Sequence, residues 1–264
     1  MNKTHPSPRR RTIVPPLRRL AAGLFATLLG TAALAQSDTT RFDRVEEKIR
    51  TLAPSATTVA ISETPVDNLL QAQINTDIVY ISADGGYLLQ GTLFDIGARV
   101  NLTEQAMADV RRGLLADVDD PREIRFTPET EPVHRLWVFT DIDCGYCRKL
   151  HEEMDEYLEK GIQINYLAFP RAGIGSDSYD KYVSVWCAED PQAALTAAKA
   201  GQDPAPLQCD NPVLEQFELG QQLGITGTPA MLTANGDLIP GYMQPEMLRA
   251  RLDGLEQQAA GATP

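Results

Sequence analysis

Residues 139–147 read FTDIDCGYC, and this stretch restricts the possible folds more than any other. The apolar run Leu136, Trp137, Val138, Phe139 reads as a buried-type strand, and Thr140-Asp141 ends it. Behind the stretch comes RKLHEEMDEYLEK, which has helical spacing. Cys144 and Cys147, two of only four cysteines, therefore stand at the mouth of a helix with Gly145 and Tyr146 between them. Such a pair can clip a metal, staple two segments or carry redox chemistry, and the compartment bears on which.

The N-terminus speaks to the compartment. Arg9, Arg10, Arg11, Arg18 and Arg19 form a basic region, and Leu20 to Ala35 is uncharged. That stretch is short for a membrane span and rich in small residues. It ends in Ala33-Leu34-Ala35, a small-x-small cleavage pattern, so residues 1–35 are expected to be a cleaved export signal and the mature protein to be exported. The paired arginines leave the choice between the general and twin-arginine routes open. The mature chain keeps 18 of 24 basic residues and all 36 acidic ones, a net charge of −18. Such acidity argues against nucleic acid or anionic lipid as a partner.

Export gives the cysteines meaning, because disulfides persist in an oxidising compartment. Zinc needs about four Cys or His ligands. The expected mature chain offers Cys144, Cys147, Cys187, Cys209 and only two histidines, His134 and His151. Four thiolate ligands fit an oxidising compartment poorly, and neither metal nor cofactor is expected.

Along the chain, Phe42, Val45, Ile49 and Leu52 are spaced three or four apart, so 39–52 reads as an amphipathic helix that Pro54 ends. LLQAQINT, DIVYIS and YLLQGTLFDI alternate as strands, with a hairpin signal at Ala83-Asp84-Gly85-Gly86. Asn101-Leu102-Thr103-Glu104 opens a helix to about residue 116. This first unit, 36–116, holds too small a core to be very stable alone, and a partner chain at its sheet edge would help. Residues 117–133 are charged and broken by prolines, and read as a linker. In the second unit, 134–264, strands at 136–140 and 162–169 flank a helix at 147–160, which suggests a βαβ unit with parallel strands. Helices are expected at 178–187, 191–200 and 211–223. Strands at 229–233 and 237–240 flank the turn Ala234-Asn235-Gly236, and a helix at 245–255 ends the fold.

The spacing of the cysteine pair also specifies a chemistry. A cysteine at a helix N-terminus meets unpaired N–H groups and the positive end of the helix dipole, which favour thiolate. At a pKa of about 8.5 a thiol is a few per cent ionised at pH 7, whereas at about 6 it is roughly nine-tenths ionised. Cys144 is expected to be an exposed nucleophile and Cys147, one turn further in, a buried thiol that releases it through a mixed disulfide. CxxC between strand and helix is the thioredoxin arrangement. Gly227-Thr228-Pro229 lies 85 residues after Cys144 at its proline and opens a strand, as the cis-proline loop of that fold does.

The resemblance extends further. FTDIDCGYCRKLHEEM, YLAFPRAGIGSDS, VWCAEDPQAAL and LGITGTPAMLTANGDLIPGY, with the small N-terminal sheet unit, resemble the periplasmic DsbC/DsbG disulfide isomerase family of the thioredoxin superfamily. The likeness covers nearly all of the mature chain. It implies a two-domain α+β/α/β protein, a thioredoxin-like catalytic domain with inserted helices plus a cystatin-like dimerisation domain. It further implies Cys144 as attacking thiol, Cys147 as resolving thiol, a groove of Gly145, Tyr146, Thr228 and Pro229, and a structural disulfide between Cys187 and Cys209. A bridge across that 22-residue spacing is worth about 3 kcal/mol. The implied partners are misfolded disulfide-containing exported proteins, a second copy of the chain and a DsbD-like membrane thiol reductase as electron donor. The implied activity is disulfide isomerisation or reduction, with DsbG-like reduction of sulfenylated cysteines and a holding chaperone as alternatives.

Two residues depart from the family or superfamily pattern. Arg148 stands where histidine is expected and should favour thiolate. Val138 replaces the buried acid of thioredoxin, so the route by which Cys147 loses its proton is not legible. Tyr166, Phe169 and Trp186 are expected in the core, and His151 on an exposed helix face.

Overall fold

The structure, a computed structural model, describes residues 29–116 and 122–261. The basic region and most of the apolar stretch of the expected export signal lie outside them. α1 (Leu29–Leu52) is a single helix that begins within that signal and runs past residue 35. No helix among the described residues is long and apolar enough to cross a membrane.

The N-terminal unit is a four-stranded antiparallel sheet in chain order: β1 (Val59–Glu63), β2 (Leu69–Ile74), β3 (Asp77–Ser82) and β4 (Leu88–Leu89). Asn75, at positive φ, makes the β2–β3 turn, and its side-chain carbonyl accepts from the backbone of Thr57 and Thr58. Asparagine tolerates that backbone because its short amide bonds locally. α1 covers one face, burying Val45 and Ile49 against Leu70, Ala72, Val79 and Ile81. β5 (Phe94–Asp95) and β6 (Val100–Asn101) form a small ribbon that leads into α2 (Leu102–Ala116). Tyr80, on the other face of β3, is buried and bonds the Thr103 hydroxyl at 2.5 Å.

The second unit is built on a five-stranded sheet. Its elements are β7 (Ile124–Phe126), β8 (His134–Thr140), α3 (Gly145–Glu152), α4 (Met154–Glu159), β9 (Ile162–Ala168), α5 (Asp177–Trp186), α6 (Pro191–Lys199), α7 (Val213–Gln222), β10 (Ala230–Thr233), β11 (Leu238–Pro240) and α8 (Pro245–Gly261). The strand order is β11-β10-β8-β9-β7, with β8 and β9 parallel and the other pairs antiparallel. Successive strand residues face opposite sides. Leu136 and Val138, with Ile162, Ile164 and Tyr166, join the larger core cluster, while Phe139 and Leu167 pack on Phe217, Leu223 and Ile225 on the other face. All seven residues of β9 are buried, as both faces are covered. The inserted helices begin on side-chain caps: Ser176 accepts from the Tyr179 N–H, and Asp190 from the Ala193 N–H with Pro191 in the first turn.

α2 joins the two units. Its Arg111 is 4% exposed, pairs with Glu104 at 2.6 Å and donates to the carbonyls of Leu223 (3.3 Å) and Gly236 (3.4 Å). Gly236, the β10–β11 turn glycine at φ +85°, approaches α2 so closely that a Cβ there would lie 2.0 Å from the Ala108 carbonyl oxygen. Between the open face of the N-terminal sheet and α2 lies a cleft of about 1060 Å³, lined by groups such as Thr58, Gln71, Gln73, Val110 and Gln222.

Several expectations need correction. Residues 117–121 lie outside the described residues, but Ile124–Phe126, inside the expected linker, is a strand paired with β9, so the second sheet begins before residue 134. Its two inward residues, Ile124 and Phe126, are too few to give a period among charged neighbours. β1 went unpredicted, and YLLQGTLFDI yields only the short pieces Leu88–Leu89 and Phe94–Asp95. The helix expected over 147–160 starts at Gly145 and breaks at Glu153.

Candidate active site

The end of β8 delivers the chain to α3 as the motif requires. Cys144 is the N-cap of α3, with extended backbone angles, so its sulfur sits among the free N–H groups of the first turn. Both redox-motif thiols are free, whereas Cys187 and Cys209 form a disulfide with a Cα–Cα distance of 5.7 Å. That bridge lies at the C-terminal end of α5 and is not among the groups that touch the dithiol.

The Thr228-Pro229 peptide bond is cis, and its loop faces the dithiol across the sheet end. The Cys144 thiol donates to the Thr228 carbonyl at 3.3 Å, and the Asp141 N–H donates to Cys147 Sγ at 3.5 Å. Cys144, Gly145, Tyr146, Cys147, Thr228 and Pro229 thus come together as one site. Tyr146 is 65% exposed and stacks on Tyr242, with ring centroids 6.1 Å apart and an interplanar angle of 22°.

Cys144 is not the exposed nucleophile expected: it is 4% exposed, with its sulfur against the Thr228 carbonyl, and Cys147 is wholly buried. Burial works to raise the Cys144 pKa. The Thr228 side chain, the Cys147 thiol and N–H, and the Arg171 cation outweigh it, and the net shift is downward. Burial dominates at Cys147 and pushes that thiol up, against the opposing pull of Lys199, the Asp141 N–H and Thr140. One helix turn therefore separates an acidified thiol from a thiol held protonated. The Thr228 side chain favours thiolate at both sulfurs.

A cation that lowers the Cys144 pKa is Arg171. Arg148 is engaged by the Ile142 carbonyl (2.8 Å) and Asp143 (3.1 Å). Arg171 is held by Asp141, which accepts from the Arg171 N–H at 2.9 Å and from Nε at 3.2 Å. Asp141 is 3% exposed and also accepts from the Ser178 hydroxyl (2.7 Å) and the Asp143 N–H (2.9 Å). Burial would raise its pKa, but these donors hold it below the ordinary carboxylate value. Sequence reasoning missed Asp141, Arg171 and Ser178, although all three lie inside the motif segments. His151 is buried rather than exposed: its Nε2 is 3.0 Å from the Thr196 hydroxyl, which itself donates to the Gln192 carbonyl, and Nδ1 is 3.4 Å from the Tyr166 hydroxyl. Burial and the Lys199 charge lower its pKa to about 4. Tyr166 and Phe169 are core residues as expected, and Trp186 packs against that core.

No group of acidic, histidine and cysteine side chains able to hold a metal ion occurs among the described residues. A sheet with a parallel β8–α3–β9 unit, a dithiol at the N-terminus of the first helix and a cis-proline loop opposite define a thioredoxin-like thiol–disulfide exchange protein. Residues 122–256 match the thioredoxin-like domain family, and residues 31–104 match the disulfide bond isomerase N-terminal domain. The chain is 34% identical over 240 residues to the thiol:disulfide interchange protein DsbC of Escherichia coli, covering 90% of this chain and 97% of that one. It is 37% identical over 203 residues to DsbC of Salmonella typhimurium, covering 76% of this chain and 83% of that one. A disulfide interchange protein of Neisseria gonorrhoeae with a solved structure is 31% identical, with a TM-score of 0.43, over 49% of this chain and 94% of that one. The chain belongs to the DsbC family of thiol:disulfide interchange proteins.

Proposed function

We propose that this protein reduces and isomerises non-native disulfides in exported proteins, with Cys144 as attacking thiol and Cys147 as resolving thiol. The observation that carries the reading is the split acidity of the two sulfurs at one helix mouth: Cys144 lowered, Cys147 raised. Thiolate attacks and thiol does not, so the order of reaction follows. Cys144 Sγ attacks a client disulfide, one client sulfur leaves as thiolate, and a mixed disulfide forms. The freed client thiolate can then attack elsewhere in its own chain, which is isomerisation, or Cys147 can displace Cys144 from the client, which is reduction.

In this reading Thr228 and Pro229 form one wall of the groove, where a client segment lies alongside the Thr228 backbone, and Gly145 and Tyr146 form the other. The N-terminal unit supplies a cystatin-like dimerisation surface, so that two catalytic domains share one client. The site must be held reduced in the periplasm, which requires a membrane thiol reductase of the DsbD kind. Refolding of a scrambled multi-disulfide protein tests the reading. Cys144→Ser should lower the rate of native-disulfide recovery to that of the uncatalysed mixture, while Cys147→Ser should retain part of it and accumulate mixed disulfides. Full activity in Cys144→Ser would overturn the assignment.

A further inference from the structure

Resolution of the mixed disulfide requires Cys147 to lose a proton in a site where burial holds that proton on. Val138, which stands where thioredoxin itself has a buried acid, is apolar and fully buried. A cation that acts on Cys147 comes instead from the inserted helices. Lys199, the last residue of α6, is 3% exposed. Its Nζ donates to the Thr140 hydroxyl at 2.8 Å and lies 5.2 Å from the centroid of the Tyr166 ring. Thr140 immediately precedes Asp141, whose N–H reaches Cys147 Sγ. Among the described residues Lys199 makes no ion pair with a carboxylate, so an ammonium with three donors is buried against one neutral hydroxyl and a ring face. A buried unpaired cation destabilises a fold by several kcal/mol, and such groups are concentrated where the charge has work to do.

The far side of Lys199 gives the proton somewhere to go. Lys199, Thr196, His151, Arg148, Gln192 and Glu152 are among the residues lining an open cleft of about 680 Å³. Neither Thr228 nor Pro229 lines this cleft.

We propose that Lys199 is the group through which Cys147 loses its proton, by way of the Thr140 hydroxyl, and that its ammonium then serves as counter-ion to the Cys147 thiolate. The inference rests on Cys147 being the resolving thiol. The step balances as follows. Lys199 ammonium releases a proton to solvent through the cleft. The Cys147 S–H bond then breaks as the amine regains a proton across Thr140. Cys147 Sγ attacks Cys144 Sγ, the Cys144–client bond breaks, and the client leaves as thiolate. The two cysteines are oxidised to a disulfide and the client is reduced by the same two electrons.

The electrostatics agree with the geometry. Burial lowers the Lys199 pKa to about 8, while Cys147, Asp141 and Cys144 pull it up and Arg148 pushes it down. The amine is therefore accessible near neutral pH, which an exposed lysine at about 10.4 is not. The charged and titratable groups around Lys199 include Cys144, Cys147 and Asp141 from the β8–α3 turn, Arg148 and His151 from α3, Tyr166 from β9, and, in the shared cleft, Glu152 of α3 and Asp155 of α4.

The test uses the full chain and an aromatic disulfide that releases a coloured thiolate, 5,5′-dithiobis(2-nitrobenzoate). The first equivalent of colour reports attack by Cys144 and the second reports resolution by Cys147. Lys199→Met keeps the side-chain length and removes the charge. It should slow the second release tenfold or more at pH 7, slow the first far less, and move the pH midpoint of the second release upward. In a Cys144→Ser background, Lys199→Met should raise the thiolate titration midpoint of Cys147 by a unit or more. The denaturation midpoint should hold or rise, since a buried charge has gone. Two equivalents released at unchanged rates would overturn the role of Lys199. Equal slowing of both phases, or a loss of stability that accounts for the slowing, would mark Lys199 as structural and overturn it too. A wild-type protein that releases a single equivalent would overturn the resolving role of Cys147, and the relay with it.

Discussion

The two sheets of this molecule bury themselves to very different degrees. In the N-terminal sheet one face is covered by α1, and its core is Val45, Ile49, Leu70, Ala72, Val79 and Ile81. The other face opens on the cleft lined by Thr58, Gln71 and Gln73, and β1 is a sheet edge. In the second sheet β9 is buried along its whole length, between α3–α6 and α8 on one side and α7 on the other. A sheet covered on both faces can hold ionisable groups such as Asp141 and Lys199 out of water at fixed distances. A half-covered sheet presents uncharged backbone and amide surface instead. Reactivity and surface are thus assigned to different units by the amount of apolar area each can bury, and α2, pinned by Arg111 and Gly236, connects them.

Each half of that comparison can be broken separately. The largest effect is expected in the smaller core: Leu70→Ala removes a fully buried side chain and should cost about 2–5 kcal/mol, more than the N-terminal unit can spare. The expected result is an early N-terminal unfolding transition, with reduction of small disulfides unchanged and recovery of scrambled proteins impaired. Loss of both activities together would mean the units are not separable.

Gly236→Ala probes the connection. It forces a positive φ on an L residue, at about 1–2 kcal/mol, and drives a Cβ into the Ala108 carbonyl, for a total of about 2–4 kcal/mol. α2 should detach, and hydrogen exchange should quicken in both α2 and the β10–β11 turn. Exchange confined to one of them would break the claim that α2 is shared.

The smallest effect is a pH dependence that belongs to the second unit alone, which holds both described histidines. The folded pKa of His151 is about 4, below its ordinary value of 6.5, so the unfolded chain binds the extra proton between those pH values. Stability is therefore fully present above pH 6.5 and falls as pH drops toward 4, by about 2–3 kcal/mol. Denaturant titrations of wild type and His151→Phe should diverge through this window. Parallel curves would place His151 in solvent.

Much of the site could be read because its chemistry is local. Cys144, Gly145, Tyr146 and Cys147 are consecutive, and the strand before them and the helix after them carry their own hydrophobic periods. Thr228-Pro229 was legible because proline before a strand is a restricted choice. Arg148 follows Cys147 directly, and the structure turns its guanidinium to Asp143 and the Ile142 carbonyl, while Arg171, distant in sequence, acts on Cys144. β7 was lost because two inward residues cannot set a period.

His151 and Lys199 show where such reading stops. On a helical wheel each is a polar residue that could face water, and each is buried because α6, inserted between β9 and β10, folds back against α3 and Phe126. By itself the sequence determined the β8–α3–β9 unit, the position of a thiol at a helix N-terminus and the loop that faces it. Only the tertiary structure decided which charges lose their water: Arg171 brought to Cys144 by Asp141, and Lys199 brought to Cys147 through Thr140. Helix termini and periodicity act over a few residues of chain, whereas desolvation depends on what distant segments pack around a group, and the acidity of both thiols is set by that packing.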